Sequence, residues 1–272
     1  MFVVLIVFGA AMIALLILCV IDFFRYRKRV RPFTKFGIAF GLIYLFFELA
    51  LILPNLELVT EVFGVSTFCI DLIGLVRIIV FASVGMYCCR RARRPAAPIL
   101  QATFRRRRRS LPVLTRSFSL GVLLTIVGAT TYSYVLLSAT TPRASETVRR
   151  LMELQPATAG LASEASLLAA LAMLEFAFIE EIVFRLGIQN LLAKSMRLQG
   201  RWYWVAIILT AALWSSGHAG TLEPGWVKMA QVFPIGLALG KLCERFGVES
   251  CIVAHGGFNL IMMFLAPTLI EF

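Results

Sequence analysis

The sequence contains two histidines, His218 and His255. Each lies in an apolar stretch of the second half of the chain. Asn259 follows His255 at the spacing that puts two side chains on one helix face. A single histidine in a membrane helix usually serves only as a hydrogen-bonding link between helices. Two histidines together with an amide and a nearby paired glutamate instead favour a functional polar site within the membrane helices.

The acidic groups of this half come from the segment Glu180 to Arg185. Its i,i+4 spacing predicts an ion pair between Glu181 and Arg185 on one helix face. Glu180 is rotated by about 100° from Glu181, so its carboxylate stays available for chemistry. A charge at the centre of a membrane helix costs at least about 2.5 kcal/mol, so such residues mark a functional site or a structural polar knot between helices.

The elements that must position these residues are membrane helices. Of the 272 residues, 60% are hydrophobic and only 15% are charged, and the mean hydropathy is +0.86. The apolar runs of roughly 18 to 25 residues suit an α-helix that crosses a bilayer, and they are too continuous for a transmembrane barrel. We therefore predict an all-α, polytopic bundle of about eight transmembrane helices, which excludes a soluble enzyme.

The predicted spans lie near 2–21, 36–53, 65–89, 118–138, 163–196, 203–218, 227–242 and 250–269. Basic residues cluster at 25–35 and 90–116, after the first and third spans. Such clusters stay in the cytoplasm and attract anionic lipid, so the net charge of +12 does not indicate nucleic-acid binding. The predicted division is 1–116, membrane helices with a mobile basic cytoplasmic loop, and 117–272, a core that carries every motif.

Residues of one site must lie at the same depth in the membrane, and the depths predicted for Glu180 and His218 agree better with each other than with that of His255. Glu180 and His218 lie roughly 24 Å and 22 Å from the cytoplasmic ends of their helices at 1.5 Å per residue. His255 lies only about 8 Å into the last helix. It reaches the same level only if the preceding turn is sunken or the fifth helix is tilted or displaced.

Three blocks carry a family resemblance: Glu-Glu-x-x-x-Arg at 180–185, Trp-x-x-x-His at 214–218 and His-x-x-x-Asn at 255–259. In order and spacing they resemble the CPBP intramembrane proteases, which include the type II CAAX prenyl endopeptidases and the bacterial abortive-infection and bacteriocin-processing proteins. The resemblance covers about 164–267. Trp214 stands where the family usually has Phe, which preserves the aromatic role.

The resemblance implies that a glutamate-activated water hydrolyses a peptide bond inside a membrane cavity. Glu180 is then the expected general base, and His218 is expected to hold the water. His255 and Asn259 are expected to polarise the scissile carbonyl and to stabilise the oxyanion. A partly desolvated carboxylate and preorganised donors suit these roles.

Three further residues are expected to support this site: Glu181, Arg185 and Trp214. Zinc on His218, His255 and Glu180 is possible by donor count, but no cofactor is favoured because no helix carries a ready pair of ligands such as His-Glu-x-x-His.

The expected partners are a membrane-anchored or lipidated protein or peptide and anionic lipid at the arginine-rich loops. The expected location is a bacterial inner membrane. Two alternatives remain open: a non-enzymatic immunity or interaction protein, and a proton-coupled transporter. The front half carries charged residues at Glu48 and from Asp71 to Arg77 that suit a transporter, but the inverted repeat of many carriers is not evident.

Overall fold

The computed structural model describes residues 2–52, 66–105, 111–146, 148–149 and 162–271. These ranges are almost wholly helical, which confirms the predicted all-α bundle. The front half contributes α1 (Phe2–Arg25), α2 (Arg27–Ile52), α3 (Ser66–Arg91) and the short α4 (Pro98–Arg105).

The back half begins with a long helix and continues through a helix with a change of winding. Its elements are α5 (Leu111–Thr140), α6 (Ala162–Glu180), a π-helix (Glu181–Ile188), α7 (Gln189–Ser195), a 3₁₀ turn (Gly200–Trp202), α8 (Tyr203–Ser216), α9 (Gly225–Phe246) and α10 (Val248–Leu269). Two short strands, β1 (Arg143–Ala144) and β2 (Leu222–Glu223), pair antiparallel. They join the segment directly after α5 to the segment between α8 and α9.

Among the described residues, five helices are long and apolar enough to cross a membrane: Val3–Arg25, Arg27–Leu51, Asp71–Arg91, Phe118–Thr140 and Val248–Leu269. These spans indicate a multi-pass membrane protein. The helix α8 has 14 residues, which is about 21 Å at 1.5 Å per residue and short of a typical bilayer core. The number of eight spans therefore stays a prediction.

The basic segment after α3, predicted as a loop, is helical in part and covers the turn between α9 and α10. The backbone N–H of Val248 donates to the carbonyl of Ala96 at 2.7 Å. The Glu249 carboxylate accepts the N–H groups of Ile99 and Leu100 at 2.8 and 2.6 Å, and so caps the start of α4. The helix α10 therefore begins beneath a covering segment of the chain, and the depth of His255 in the membrane stays a prediction.

The front half packs directly against the π-helix. A Cβ added to Gly85 of α3 would lie 2.2 Å from the carbonyl oxygen of Leu186, and one added to Gly187 would lie 2.6 Å from the ring of Phe81. Glycine at both positions lets the two backbones approach closely. One hydrophobic core contains residues of both halves, from Cys19 to Phe258. The division at 116 stays a prediction.

Candidate active site

The carboxylate of Glu180 lies where α6, the end of α8 and α10 meet. Its Oε2 atom accepts a hydrogen bond from the indole Nε1 of Trp214 at 2.8 Å. The Nε2 atom of His218 is 3.7 Å from Oε1, and the Nε2 atom of His255 is 3.8 Å from Oε2. The structure thus gathers residues of all three motifs around one carboxylate.

This group is open on one side. The side chains of Glu180 and His218 are 25% and 23% exposed, whereas that of His255 is 5% exposed. The distances of 3.7 and 3.8 Å from the imidazoles to Glu180 are longer than direct hydrogen bonds. A water molecule can bridge polar groups at such separations, so the exposed side of the carboxylate is suited to a water.

The partners of the two imidazoles fix how each ring is oriented. The Nδ1 atom of His218 is 2.9 Å from the carbonyl oxygen of Trp214, and a carbonyl only accepts. The Nδ1 atom of His255 is 2.9 Å from Oε1 of Glu181. We assign the Nδ1 proton to both rings on these partners, so both present Nε2 to Glu180.

A buried ion pair lies behind His255. The Nε atom of Arg185 is 3.4 Å from Oε2 of Glu181, and both side chains are 0% exposed. The guanidinium also lies 4.8 Å from the ring centre of Trp214, within the range of a cation–π contact. The pair that the spacing predicts therefore touches both His255 and Trp214, the two residues that contact Glu180 from its inner side.

The winding of the fifth predicted helix differs from the expected continuous α-helix. It changes to a π-helix at Glu181, directly after Glu180, and returns to α at Gln189. Such π segments occur often at functional sites because they re-aim side chains locally. The close packing of Gly187 against Phe81 of α3 is a tertiary contact, which periodicity in the segment itself does not reveal.

Two of the predicted site residues occupy positions that differ from expectation. His218 lies in the turn after α8, which ends at Ser216, and not within the helix. Asn259 donates its amide to the carbonyl of Met173 at 3.2 Å. In the described part of the chain it makes no hydrogen bond to Glu180 or either histidine, so it links α10 to α6 and keeps a second N–H free.

Glycines explain how Asn259 reaches the neighbouring backbone. A Cβ on Gly256 would lie 2.9 Å from Leu174 of α6, and one on Gly257 would lie 2.8 Å from Ile126 of α5. Neither helix could pack as closely against a side chain at these positions.

Lys228, in the first turns of α9, is a charged neighbour that the motif analysis missed. Its Nζ donates to the buried Gln231 at 2.9 Å, and its charge interacts with both Glu180 and His218. A lysine inside a predicted membrane span is itself a signal of function. No motif includes Lys228, so only the packing of α9 shows that Glu180 and His218 are its neighbours.

The zinc alternative requires three converging ligands. Glu180, His218 and His255 are donors of the zinc type. Among the residues that the structure describes, however, no three His, Cys, Asp or Glu side chains are placed to hold a metal ion. Each oxygen of Glu180 faces a different histidine, an arrangement suited to hydrogen bonding.

The family comparison covers the part of the chain that builds this site. Residues 162–261 match the type II CAAX prenyl endopeptidase Rce1-like family. The match spans all three motifs and confirms the resemblance predicted from them. It supports a protease, and residues before 162 lie outside it. No curated protein and no solved structure matches the chain.

Proposed function

We propose that the protein is an intramembrane endopeptidase that hydrolyses a peptide bond of a membrane-anchored or lipidated protein with a glutamate-activated water. The observation that supports this most is the pair of imidazole Nε2 atoms facing one partly exposed carboxylate, 3.7 and 3.8 Å away. The name of the matched family favours a prenylated substrate with a C-terminal CAAX sequence.

In the proposed reaction, a water between Glu180 and His218 gives a proton to the Glu180 carboxylate while its oxygen attacks the scissile carbonyl carbon. Protonated His255 donates from Nε2 to the oxyanion, and the second N–H of Asn259 is the proposed further donor. The carbon–nitrogen bond then breaks, and Glu180 returns the proton to the leaving amine. The products are a new carboxylic acid and a free amine, which at neutral pH become a carboxylate and an ammonium group.

The positive charge of Lys228 has a supporting role in this proposal. It interacts with Glu180 and His218, and it donates to Gln231, a neutral acceptor. A cation so placed stabilises negative charge that moves from Glu180 towards the oxyanion. Such a contribution is largest in a site that excludes bulk water.

Cleavage of a defined peptide in liposomes tests the proposal. The substrate is a farnesylated peptide ending in Cys-aliphatic-aliphatic-X, beside an unprenylated membrane-anchored peptide, and mass spectrometry identifies the bond that breaks. We expect cleavage by the wild-type protein and by Tyr134→Ala, an exposed residue outside the site. His218→Ala and His255→Ala should insert and fold but not cleave. Full activity of either histidine variant would refute its catalytic role.

The carrier alternative rests on a second acidic group. Glu175 of α6, which is 6% exposed, interacts with Glu48 of α2 and Asp71 of α3. Carboxylates at membrane depth occur in proton pathways. Proton flux into liposomes that Glu175→Gln abolishes, with no cleavage of either peptide, would favour transport over proteolysis.

A further inference from the structure

A cavity of about 340 Å³ lies between the start of α2, the end of α3 and α4, away from the candidate active site. Its volume is within the range of small-molecule sites. The lining combines three arginines, two aromatic rings and an amide: Arg90, Arg93, Arg94, Phe33, Phe36 and Gln101. Cations and apolar rings in one cavity favour a ligand with an anionic head and an apolar part.

Only one of the three arginines has an acidic partner among the described residues. The guanidinium of Arg94 lies 3.4 Å from the ring centre of Tyr203 and 3.9 Å from Glu244. Arg90 lies over the ring of Phe33 at 5.8 Å. Neither Arg90 nor Arg93 forms an ion pair with a carboxylate that the structure describes, so the cavity keeps an uncompensated positive charge.

The backbone at Arg93 adds to this picture. Its φ of 57° places it in the left-handed region at the end of α3, a position where glycine or asparagine is usual. The N–H of the next residue, Arg94, bonds the carbonyl of Cys89 at 2.9 Å and closes this helix end. Arg93 therefore combines an unfavourable backbone conformation with a position in the lining of the cavity.

The candidate membrane spans indicate that the cavity lies near a membrane surface. It adjoins the beginning of the candidate span Arg27–Leu51 and the end of the candidate span Asp71–Arg91. The start of one span and the end of the other lie together, so this end of the bundle is expected among the lipid headgroups. The basic residues predict that this side of the membrane is cytoplasmic. Headgroup phosphates therefore meet Arg90 and Arg93 without entering the hydrocarbon core.

We propose that this cavity binds a phosphate group, with Arg90 and Arg93 donating to its oxygens and Arg94 adding positive charge from a fixed position. The planar guanidinium matches phosphate geometry with two parallel hydrogen bonds. The group belongs to an anionic phospholipid headgroup or to a free phosphate, and Phe33 and Phe36 provide an apolar wall that suits the lipid.

Calorimetric titration of the purified full-length protein tests this site. The probes are dioctanoyl phosphatidic acid, inorganic phosphate and dioctanoyl phosphatidylcholine. The double variant Arg90→Gln/Arg93→Gln removes the two lining arginines that have no carboxylate partner among the described residues. The matched control, Arg29→Gln/Arg91→Gln, removes two exposed cations at the same end of the bundle that do not line the cavity. Thermal unfolding verifies that both variants are folded.

We expect the cavity variant to weaken phosphatidic acid binding at least about tenfold, because it removes hydrogen bonds between charged groups, and the control to weaken it less than about twofold. If inorganic phosphate binds as tightly as dioctanoyl phosphatidic acid, the cavity is a site for free phosphate. If phosphatidic acid binds and inorganic phosphate does not, the cavity is a lipid site. Both results support the proposal. Equal weakening by both variants, or no binding of either phosphate probe by the wild-type protein, overturns it.

Discussion

The Nδ1 atom of His255 lies 2.9 Å from Oε1 of Glu181 in the interior of the bundle. The other oxygen of this carboxylate is 3.4 Å from Nε of Arg185. Glu181 therefore joins the histidine on α10 to the arginine of the π-helix, and its neighbour Glu180 remains at the open side. Adjacent glutamates thus have different surroundings, one buried between Arg185 and His255 and one partly exposed.

Glu181→Ala should lower the free energy of unfolding by about 3–5 kcal/mol, because it leaves Arg185 unpaired in an apolar interior. The double variant Glu181→Ala/Arg185→Met should recover most of this loss, since it removes the orphaned charge as well. Thermal unfolding of the purified single and double variants measures both. Destabilisations of Glu181→Ala and Arg185→Met that simply add in the double variant would show that the pair is not coupled.

Trp214 should tolerate phenylalanine better than alanine. Trp214→Phe keeps an aromatic ring beside Arg185 and loses the hydrogen bond to Glu180, so kcat should fall about tenfold while the fold persists. Trp214→Ala should lower the free energy of unfolding by about 3–5 kcal/mol, because it leaves a cavity in the core. Unfolding curves and cleavage rates separate the effects. Equal stability of the two variants would contradict the packing role.

The sequence predicts the part of the site that depends on helix periodicity. The spacing of Glu181 and Arg185 predicts their ion pair, and the three motifs predict which helices must converge. The sequence does not predict the hydrogen bond of Asn259 to Met173, because that bond depends on the close approach of α6 and α10. The contribution of Lys228 depends in the same way on how α9 packs against α8.

Long apolar runs predict the five helices of the described chain that can cross a membrane, whereas tertiary packing decides features that the runs do not show. The basic segment was predicted as a loop from its charge, yet α4 forms there because Glu249, distant in sequence, caps its first N–H groups. The π-helix likewise packs against α3, where Gly187 contacts Phe81. Both features involve contacts between segments that are distant in sequence, which periodicity within one segment does not reveal.

Gly85→Ala should destabilise the protein by about 1–3 kcal/mol and lower its activity, because the new methyl group would collide with the π-helix backbone. Its Cβ would lie 2.2 Å from the carbonyl oxygen of Leu186. Gly128→Ala is the matched control, since nothing lies within 4 Å of a Cβ there. Unfolding and cleavage assays compare the two. An inactive Gly128→Ala or a fully active Gly85→Ala would refute a positioning role for α3.

Proteolysis should persist after removal of zinc. A zinc ion on Glu180 would occupy the carboxylate that the proposed reaction uses as its base. The experiment strips the purified protein with a strong chelator, verifies metal loss by elemental analysis and then measures peptide cleavage. Inactivation that stoichiometric zinc reverses would replace the proposed mechanism with a metal-dependent one.

The kinetics of Glu180→Gln test the central claim most directly. Glutamine keeps the size of the side chain and removes its ability to accept a proton, so kcat for the prenylated peptide should fall at least about 10²-fold. KM should stay within about twofold of the wild-type value, since the contacts that bind the peptide remain. Thermal unfolding close to that of the wild-type protein would show that the loss is chemical. A Glu180→Gln enzyme with near wild-type kcat would contradict the account.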